Sequence, residues 1–419
     1  MSILDDVSIS RRSFLKSGIA LGAGVLMYPA VNVFAKSDNP VKIGMIDPQT
    51  GTYAALGGNE IRGAKLAVDQ INANGGILGR PMQLLIEDSA ANVGQSVQKA
   101  RKLVNRNEVH FLMGAVSSAV ALALSQAAHD MNTLYLDTGG HADAVTGDKC
   151  RWNTFRTCST TWLLTAGDFK TIFETYGKKW YFITPDYAFG HALHRDYLAQ
   201  LKQAGGESLG NGLAPLGTTD FSSYLIKAKS ANPDVLVVLN AGNDMINTLK
   251  QATQFGLNKD MGVAGPMMEM EVLESLPHSA RYGLWNMEWY WDQPGVPHVK
   301  EFVESYRKRD PKNRVPTARS WFGFASAHAL AQAANKAGTL DTMKVVRALE
   351  GLELPPEVAL QPNQAVYRAA DHQLIGSEYP GKIKAGGKYP ELFDVAKVVN
   401  ATKIARSAEE KGCNMTYPS

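Results

Sequence analysis

The sequence predicts an α/β fold built on parallel sheets, and three observations near its start carry this prediction. Residues 41–46 form a short apolar run that is typical of a buried strand. Between residues 61 and 71, apolar side chains recur at the spacing of one helix face, and a second apolar run follows at residues 82–86. A strand–helix–strand unit of this kind needs a parallel sheet. The loop after its first strand therefore lies where open α/β sheets bind ligands.

Four segments of the chain, taken in order, resemble one known protein family. The first has Gly51, Ala54 and Gly57 at G-x-x-A-x-x-G spacing, followed by GAKLAVDQINANGGILGR. The others read FSSYLIKAK, NPDVLVVLNAGNDMINTLKQATQFGL and WFGFASAHALAQAANKAG. Together they resemble the Leu/Ile/Val-type periplasmic binding proteins, the type I solute receptors of bacterial ABC importers. The resemblance implies two Rossmann-like lobes, joined by a hinge that the chain crosses three times, with the ligand held between them.

The first 35 residues have the features of an export signal. Ser10 to Lys16 reads SRRSFLK and matches the twin-arginine pattern S-R-R-x-F-L-K. The apolar run from Ser17 to Val31 is shorter than the roughly 20 residues that a membrane span needs. Val33-Phe34-Ala35 offers a small-residue cleavage site. We therefore predict export by the twin-arginine translocase, cleavage near Ala35 and a periplasmic location.

Charge and cysteine content limit the function further. The formal net charge is only +3 at pH 7, and no basic block of the kind that binds nucleic acid is present. We expect a monomer that binds a small molecule and no nucleic acid. The cysteines are Cys150, Cys158 and Cys413, and an oxidising periplasm favours one disulfide and one remaining thiol. An extended segment separates Cys150 from Cys158, so the favoured pair is Cys150–Cys413.

Two predicted strand ends in the first lobe are candidates for the ligand site. Ser117 and Ser118 begin a helix, where free backbone N–H groups lie beside hydroxyls. Gly139, Gly140 and His141 follow the next strand, and glycine lets a ligand approach main-chain amides closely. By themselves, the serines can simply cap a helix and the glycines can simply form a turn. The family resemblance implies that both places hold a ligand carboxylate.

The second lobe offers three further loops after predicted strands. Tyr187 and Phe189 lie on the first loop, Asn240 on the second and Met267 on the third. The two aromatic residues fit the core and the ligand site equally well. Across the cleft, Tyr53 on the loop after the first strand is the matching candidate in the first lobe.

The resemblance also implies where the lobes begin and end. The chain returns to the first lobe through a tryptophan-rich segment, Trp285 to Trp291, and crosses for the last time near residues 369–374. The predicted organisation is a signal at residues 1–35, a first lobe of residues 41–157 plus 288–369, and a second lobe of residues 158–287 plus 370–419.

No catalytic motif is present in the sequence. H-E-x-x-H, G-x-x-x-x-G-K-[ST], G-x-S-x-G and C-x-x-C are all absent. His191 and His194 have no acidic or cysteine partner at metal-ligand spacing. Asp47 and Asp137 leave strands toward the cleft, where a single carboxylate suits ligand hydrogen bonding as well as acid–base chemistry. We expect a binding protein without catalytic residues, metal or cofactor. An α/β enzyme and a sensor module are the alternatives.

The residue at position 267 bears on the identity of the ligand. Amino-acid receptors of this family hold the ligand ammonium with an acidic side chain after a second-lobe Gly-Pro pair. Here Gly265-Pro266 is followed by Met267, which cannot pair with an ammonium. Glu269 and Glu271 lie close behind it, and a small shift of the loop brings either one into the cleft.

We therefore predict a ligand with a carboxylate but no α-ammonium, either an aromatic or a short aliphatic acid. Leu56, at a first-loop position that often carries a family tyrosine, is a second departure from the amino-acid receptors. Trp289 and Trp321 are further aromatic candidates around the cleft. In this interpretation the protein delivers its solute to an ABC permease in the inner membrane. The alternative is a binding protein for branched-chain or other amino acids.

Overall fold

The computed structural model describes residues 39–418, so the export signal predicted at residues 1–35 lies outside the described residues. The chain begins with alternating strands and helices, numbered in chain order. They are β1 (Val41–Asp47), α1 (Ala54–Ala73), β2 (Met82–Asp88), α2 (Val93–Asn105), β3 (Phe111–Gly114), α3 (Ser118–Asp130), β4 (Leu134–Asp137) and β5 (Thr154–Arg156). These strands form one parallel sheet in the order β2-β1-β3-β4-β5.

The burial of these strands follows from their position in the sheet. The inner strands β3 and β4 are buried along their whole length and carry almost only apolar residues, as parallel strands covered on both faces do. The edge strand β2 is only partly buried beyond Met82. We call this sheet and the helices packed on it lobe 1.

The chain then builds a second set of strands and helices. These are α4 (Thr161–Tyr176), β6 (Lys179–Pro185), α5 (Ala188–Gln203), β7 (Glu207–Ala214), α6 (Ser222–Ala231), β8 (Val235–Val238), α7 (Gly242–Gln254), α8 (Leu257–Asp260), β9 (Gly262–Gly265), α9 (Met270–Ser275) and β10 (Leu284–Met287). The strands predicted before the three second-lobe loops are present as β6, β8 and β9.

The remainder of the chain adds helices that pack on lobe 1, a two-stranded sheet of β11 and β12, and strands that join the second sheet. Its elements are α10 (Val299–Arg309), α11 (Ala318–Ala337), α12 (Thr342–Leu349), α13 (Pro356–Ala359), β11 (Val366–Tyr367), β12 (Leu374–Ile375), β13 (Ser377–Ile383), β14 (Phe393–Val395) and β15 (Val399–Asn400). The second sheet has the order β14-β13-β10-β9-β8-β6-β7, with β15 beside β13. Strand β13 is antiparallel to its neighbours, whereas β6 to β10 pair in parallel. We call this sheet and its helices lobe 2, and the two lobes confirm the predicted α/β fold class.

Two segments that connect the lobes lie side by side. Arg156, at the end of β5, forms a parallel bridge with Gln373 and donates from Nε to the Gln373 side-chain oxygen at 2.6 Å. Next to this pair, the rings of Phe155 and His372 stack with centroids 3.8 Å apart. These buried contacts hold the first and last connecting segments together at the hinge.

The C-terminal tail returns to lobe 1. Cys150 and Cys413 form a disulfide, which confirms the predicted pairing, and Cys158 is a buried free thiol. Tyr417 donates to Glu350 at 2.7 Å, and the Arg347 guanidinium lies 3.8 Å from the centre of its ring. Residues 408–418 thus lie against lobe 1, whereas the predicted boundaries place residues 370–419 in the second lobe. Apart from this tail contact, the lobe boundaries stay a prediction.

Within residues 39–418, no helix combines the length and the apolar character that crossing a bilayer requires.

Candidate functional site

The two lobes touch each other across the cleft at the loop after β1. The Tyr53 and Tyr187 hydroxyls are 2.6 Å apart, and the Asn243 amide donates to the Thr52 carbonyl at 3.2 Å. Gly242 makes this approach possible, because its φ is +56° and a Cβ there would lie 2.7 Å from the Thr52 carbonyl oxygen. The cleft is therefore closed, and any larger residue at position 242 would push the lobes apart.

The glycines predicted to cradle a carboxylate already use their amides. The Gly139 N–H donates to the Ala115 carbonyl at 2.9 Å, and the Gly140 N–H donates to Asp137 Oδ1 at 2.8 Å. The Ser118 hydroxyl accepts from the Ala142 amide at 3.0 Å. The chain thus brings these predicted residues together at the ends of β3 and β4. Their hydrogen bonds organise the loop, and an anion here needs other donors.

Four helices begin at or beside this cleft without a side-chain cap. Their N-cap residues are Tyr53 for α1, Ser117 for α3, Tyr187 for α5 and Ala241 for α7. Uncapped first-turn amides and the positive end of the helix dipole favour a negative group. By contrast, α11 carries a full capping box made by Thr317 and Ser320. Amides at the starts of these helices are thus not satisfied by a capping side chain.

His141 forms a buried ion pair through its Nε2 atom. Its Nε2 lies 2.7 Å from Glu288 Oε2, and both side chains are almost fully buried. Burial alone would raise the pKa of Glu288, but the charge and hydrogen bond of His141 lower it below its ordinary value. The imidazole also lies 5.8 Å from the Phe189 ring, which belongs to the other lobe. His141 therefore links lobe 1, the hinge and lobe 2.

Sequence reasoning missed Arg319, which lies in the first turn of α11. Its Nη1 donates to Glu60 Oε1 at 3.0 Å, and its Nε donates to Glu269 Oε1 at 2.6 Å. Glu60 belongs to α1 in lobe 1 and Glu269 to lobe 2, so the guanidinium joins the lobes. Only 2% of the Arg319 side chain is exposed. A signal was available, because Arg319 is the only charged residue between positions 318 and 335.

Two glycines bring Glu60 and Arg319 within reach of each other. A Cβ at Gly63 on α1 would lie 1.8 Å from the Ser320 carbonyl oxygen, and a Cβ at Gly323 on α11 would lie 2.0 Å from that of Glu60. Any side chain at either position would force the two helices apart. The small residues in GAKLAVDQ and WFGFASAH therefore serve close helix packing, which places the two charged side chains at the cleft.

Asp47 and Asp137 are buried carboxylates at the ends of β1 and β4, where both interact electrostatically with Glu60. Each accepts from a loop amide through Oδ1, and among the described residues neither buried Oδ2 accepts from a hydrogen-bond donor. Burial, and then the nearby charge of Glu60, raises the pKa of Asp47 well above its ordinary value. Burial raises the pKa of Asp137 to about 8 and that of Glu60 to about 7. At neutral pH burial therefore favours the protonated forms of Asp47 and Asp137, whereas Glu60 lies near the midpoint of its titration.

The wall that lobe 2 contributes is apolar. Met267 and Phe189 are buried in one apolar cluster together with Tyr53 and Leu56 of lobe 1. The Asn240 amide nitrogen donates to Thr248 at 2.7 Å, and its buried side-chain oxygen has no partner. A ligand in contact with this wall meets mainly thioether and aromatic surface.

Two expected aromatic residues are used elsewhere. The Trp289 indole donates to the Leu360 carbonyl at 2.8 Å and packs edge-on against Phe302. The Trp321 indole donates to the Val358 carbonyl at 3.0 Å. Both indole N–H groups thus bind backbone carbonyls of lobe 1, and the interpretation of these tryptophans as cleft residues stays a prediction.

Both acidic residues behind Met267 enter the interface between the lobes. Glu269 pairs with Arg319, as described above. Glu271 Oε1 accepts from Asn59 at 2.7 Å, while its buried Oε2 has no partner. Burial, and then the charge of Glu269, raises the pKa of Glu271 to about 7. Within the described residues, no group of three or more histidine, cysteine, aspartate and glutamate side chains could hold a metal ion.

Comparisons with known proteins agree with this architecture. A family model described as periplasmic binding protein matches residues 40–388. Leu/Ile/Val-binding protein homolog 7 of Brucella suis biovar 1 is 28% identical over 356 residues, covering 80% of this chain and 86% of the relative. A periplasmic binding protein from Burkholderia mallei superposes with a TM-score of 0.83 at 27% identity, covering 89% of this chain and 98% of the other.

A solved structure with lower identity shares the fold. It is a solute-binding protein of an ABC transporter from Rhodopseudomonas palustris BisB5, in complex with 3,4-dihydroxy benzoic acid. The TM-score is 0.77 at 22% identity, and the match covers 86% of this chain and 98% of that chain.

Proposed function

This chain belongs to the periplasmic binding proteins, the substrate-binding components of ABC transporters, and we propose that its own solute is a small carboxylate. The two lobes enclose the solute and deliver it to a permease in the inner membrane. Members of this family bind solutes rather than transform them, and we extend that property to this chain. The ligand site that we propose comprises Tyr53, Ser117, Ser118, Gly139, Gly140, His141, Tyr187, Phe189, Asn240 and Met267.

The pairing of Glu269 is the observation that carries the proposed ligand class. Met267 cannot neutralise an ammonium, and the acid closest behind it, Glu269, already binds Arg319 at 2.6 Å. A buried ammonium without a partner costs several kcal/mol. Met267, Phe189 and Leu56 suit an apolar body, while helix N-termini suit its carboxylate. An aromatic or short aliphatic acid without an α-ammonium fits this site best.

Glu271 supports a second candidate, an amino-acid ligand. Among the described residues its buried Oε2 has no hydrogen-bond partner, and it can accept from a ligand ammonium. The curated relative from Brucella suis is also named for leucine, isoleucine and valine. The two candidates differ in one chemical group, so a matched pair of ligands can separate them.

The experiment is a thermal-shift and calorimetric screen of the mature protein. The panel contains leucine, its keto acid 4-methyl-2-oxopentanoate, benzoate and 4-hydroxybenzoate. We expect at least one ammonium-free acid to raise the melting temperature, because a ligand that binds only the folded state stabilises it. The same acid should lower the radius of gyration in X-ray scattering by closing the lobes. Stabilisation by leucine with no response to any other ligand of the panel would overturn the proposed class.

Met267 provides the matched test of the apolar wall. Met267→Glu should weaken binding of the active acid about tenfold or more, because two like charges would meet in a buried site. Met267→Leu keeps the apolar volume and should change affinity less than about threefold. Equal affinities for the two variants would place position 267 outside the site.

We also propose that the precursor reaches the periplasm through the twin-arginine translocase, with cleavage near Ala35. The support is the SRRSFLK motif and the apolar run behind it. The mature protein then acts as a monomer, with the permease as its partner and no nucleic acid.

A further inference from the structure

The guanidinium of Arg319 is only partly occupied by oxygen acceptors. Nη1 donates to Glu60 Oε1 at 3.0 Å and to the Gly139 carbonyl at 3.2 Å, so its two hydrogens are satisfied. Nε donates to Glu269 Oε1 at 2.6 Å. Nη2 has a single acceptor, the thioether sulfur of Met267 at 3.8 Å. Sulfur is a weak acceptor, so this buried amino group lacks an oxygen partner.

Nη2 belongs to the Nε–Nη2 edge, which is the edge of the guanidinium that binds carboxylates best. Nε and Nη2 point in parallel and can hold both oxygens of one carboxylate. In the closed cleft Glu269 takes Nε with one oxygen, and Met267 stands beside Nη2. Glu269 therefore makes one of the two strong hydrogen bonds that this edge can support.

The charges around Arg319 limit how a second carboxylate can bind there. One positive charge already faces Glu60 and Glu269, both buried. A third carboxylate added to these two would bring excess negative charge into a site of low dielectric constant, which is costly. A ligand carboxylate that replaces Glu269 on Arg319 leaves the number of carboxylates bound to the guanidinium unchanged and gains the second parallel hydrogen bond.

We propose that Arg319 selects the ligand carboxylate and that Glu269 is a built-in competitor, which holds Nε until a ligand carboxylate takes the whole Nε–Nη2 edge. This inference rests on the proposed function and deepens it. It assigns selection of the ligand carboxylate to Arg319 and Glu269, which lie outside the ligand site proposed above. In this proposal the ion pair between Arg319 and Glu269 acts as a filter for the ligand. Glu269 makes one hydrogen bond to Arg319, so only a ligand carboxylate that binds with both oxygens displaces it.

The first test removes the charge of the competitor. Glu269→Gln should bind the active ammonium-free acid about tenfold more tightly, since a neutral amide competes less well for a guanidinium than a carboxylate does. Glu271→Gln is the matched control, because Glu271 is also buried on this segment but binds Asn59 and Thr317. It should change affinity less than about twofold. A merely structural ion pair would show no gain in affinity on Glu269→Gln.

The second test concerns recognition of the carboxylate itself. Benzamide has the shape of benzoate without its charge, so the ratio of the two affinities measures carboxylate selection. Arg319→Lys keeps the positive charge but loses the two parallel N–H donors. We expect the ratio of benzoate affinity to benzamide affinity to fall about tenfold. Because Arg319→Lys leaves two buried carboxylates with a poorer partner, Arg319→Gln combined with Glu269→Gln serves as a charge-balanced variant. It should show the same loss of selection.

The outcomes separate this inference from the proposed function. If no ammonium-free acid of the panel binds the wild-type protein, the proposed function is wrong and the inference falls with it. If the wild type binds such an acid but Glu269→Gln does not bind it more tightly, or the Arg319 variants keep their selection, only the inference is wrong. If Glu269→Gln instead weakens leucine binding, Glu269 is an ammonium partner rather than a competitor.

Discussion

At the scale of single residues, burial changes the protonation of several carboxyl groups at the hinge, and Glu378 is the clearest case. Its side chain is fully buried and accepts hydrogen bonds from the Ser159 hydroxyl and, at 2.6 Å, from the Asn286 amide. Burial, and then the charge of Glu288, raises the pKa of Glu378 to about 8. The two hydrogen bonds lower that pKa, but they do not offset the loss of water.

This raised pKa predicts a specific dependence of stability on pH. In the unfolded chain a glutamate titrates near its ordinary value, so between about pH 4.5 and pH 8 the folded protein keeps a proton that the unfolded chain releases. The free energy of unfolding therefore falls as the pH rises through this window. Glu378→Gln should remove this contribution, so that its melting temperature falls about 5 °C less than that of the wild type between pH 5.5 and pH 8.5.

The exposed Glu304 gives a control for this measurement, because it lies on the outer face of α10. Glu304→Gln should leave the pH profile of the wild type unchanged. Parallel profiles for the wild type and Glu378→Gln would contradict the assignment of a raised pKa to Glu378.

At the scale of elements, the C-terminal tail fastens the end of the chain to lobe 1 although it forms no long strand or helix. The Cys150–Cys413 disulfide spans 263 residues of sequence. Beside it, the Lys411 ammonium lies buried against the Asp371 carboxylate, and Tyr417 contacts Arg347 and Glu350. The tail follows β15 of lobe 2, so these contacts form a covalent and ionic connection between the lobes in addition to the hinge segments.

Removing the disulfide should destabilise the protein and release this tail. A cross-link across so long a loop stabilises a protein by about 2–4 kcal/mol, chiefly by limiting the unfolded chain. We expect Cys150→Ser combined with Cys413→Ser to lower the urea midpoint accordingly and to make residues 408–418 sensitive to protease. A reductant should have the same effect on the wild type and none on the double variant. An equal response of both proteins to reductant would assign the effect to another feature.

At the scale of the whole molecule, the closed cleft depends on contacts that the lobes make only when they are together. The Tyr53–Tyr187 hydrogen bond, the Arg319–Glu269 ion pair and the Asn59–Glu271 hydrogen bond all join residues of opposite lobes. A ligand shifts the population toward closure only through interactions that it makes better in the closed state.

The whole precursor also carries a prediction about its export. Arg11 and Arg12 are the paired arginines of the twin-arginine motif, in a part of the chain outside the described residues. Changing both to lysine should leave full-length precursor in the cytoplasm and reduce the periplasmic form about tenfold or more. Immunoblots of cell fractions measure this, with Lys16→Arg as a control that keeps the arginine pair. Normal periplasmic levels of the double-lysine variant would rule out this export route.

Local patterns in the sequence were sufficient to predict most of the fold. The order of strand, helix and strand between Val41 and Asp88 follows from apolar spacing and glycine positions, which act over a few residues. Excluding Cys150–Cys158, whose members are too far apart along an extended segment, left two pairings, and the favoured pair Cys150–Cys413 is present. Met267 was predicted to be a cleft residue, and it is buried beside Arg319.

The tertiary structure alone decided which polar groups at the cleft are free and which are already paired. Arg319 lies 259 residues from Glu60 and 50 residues from Glu269 in sequence, and no local pattern links such distant positions. The amides of Gly139 and Gly140 looked available, yet the return of the chain at Ala115 and Asp137 supplies their acceptors. Hydrogen bonds and ion pairs depend on distances of a few ångströms between segments, which the packing of α1 against α11 and of one lobe against the other determines.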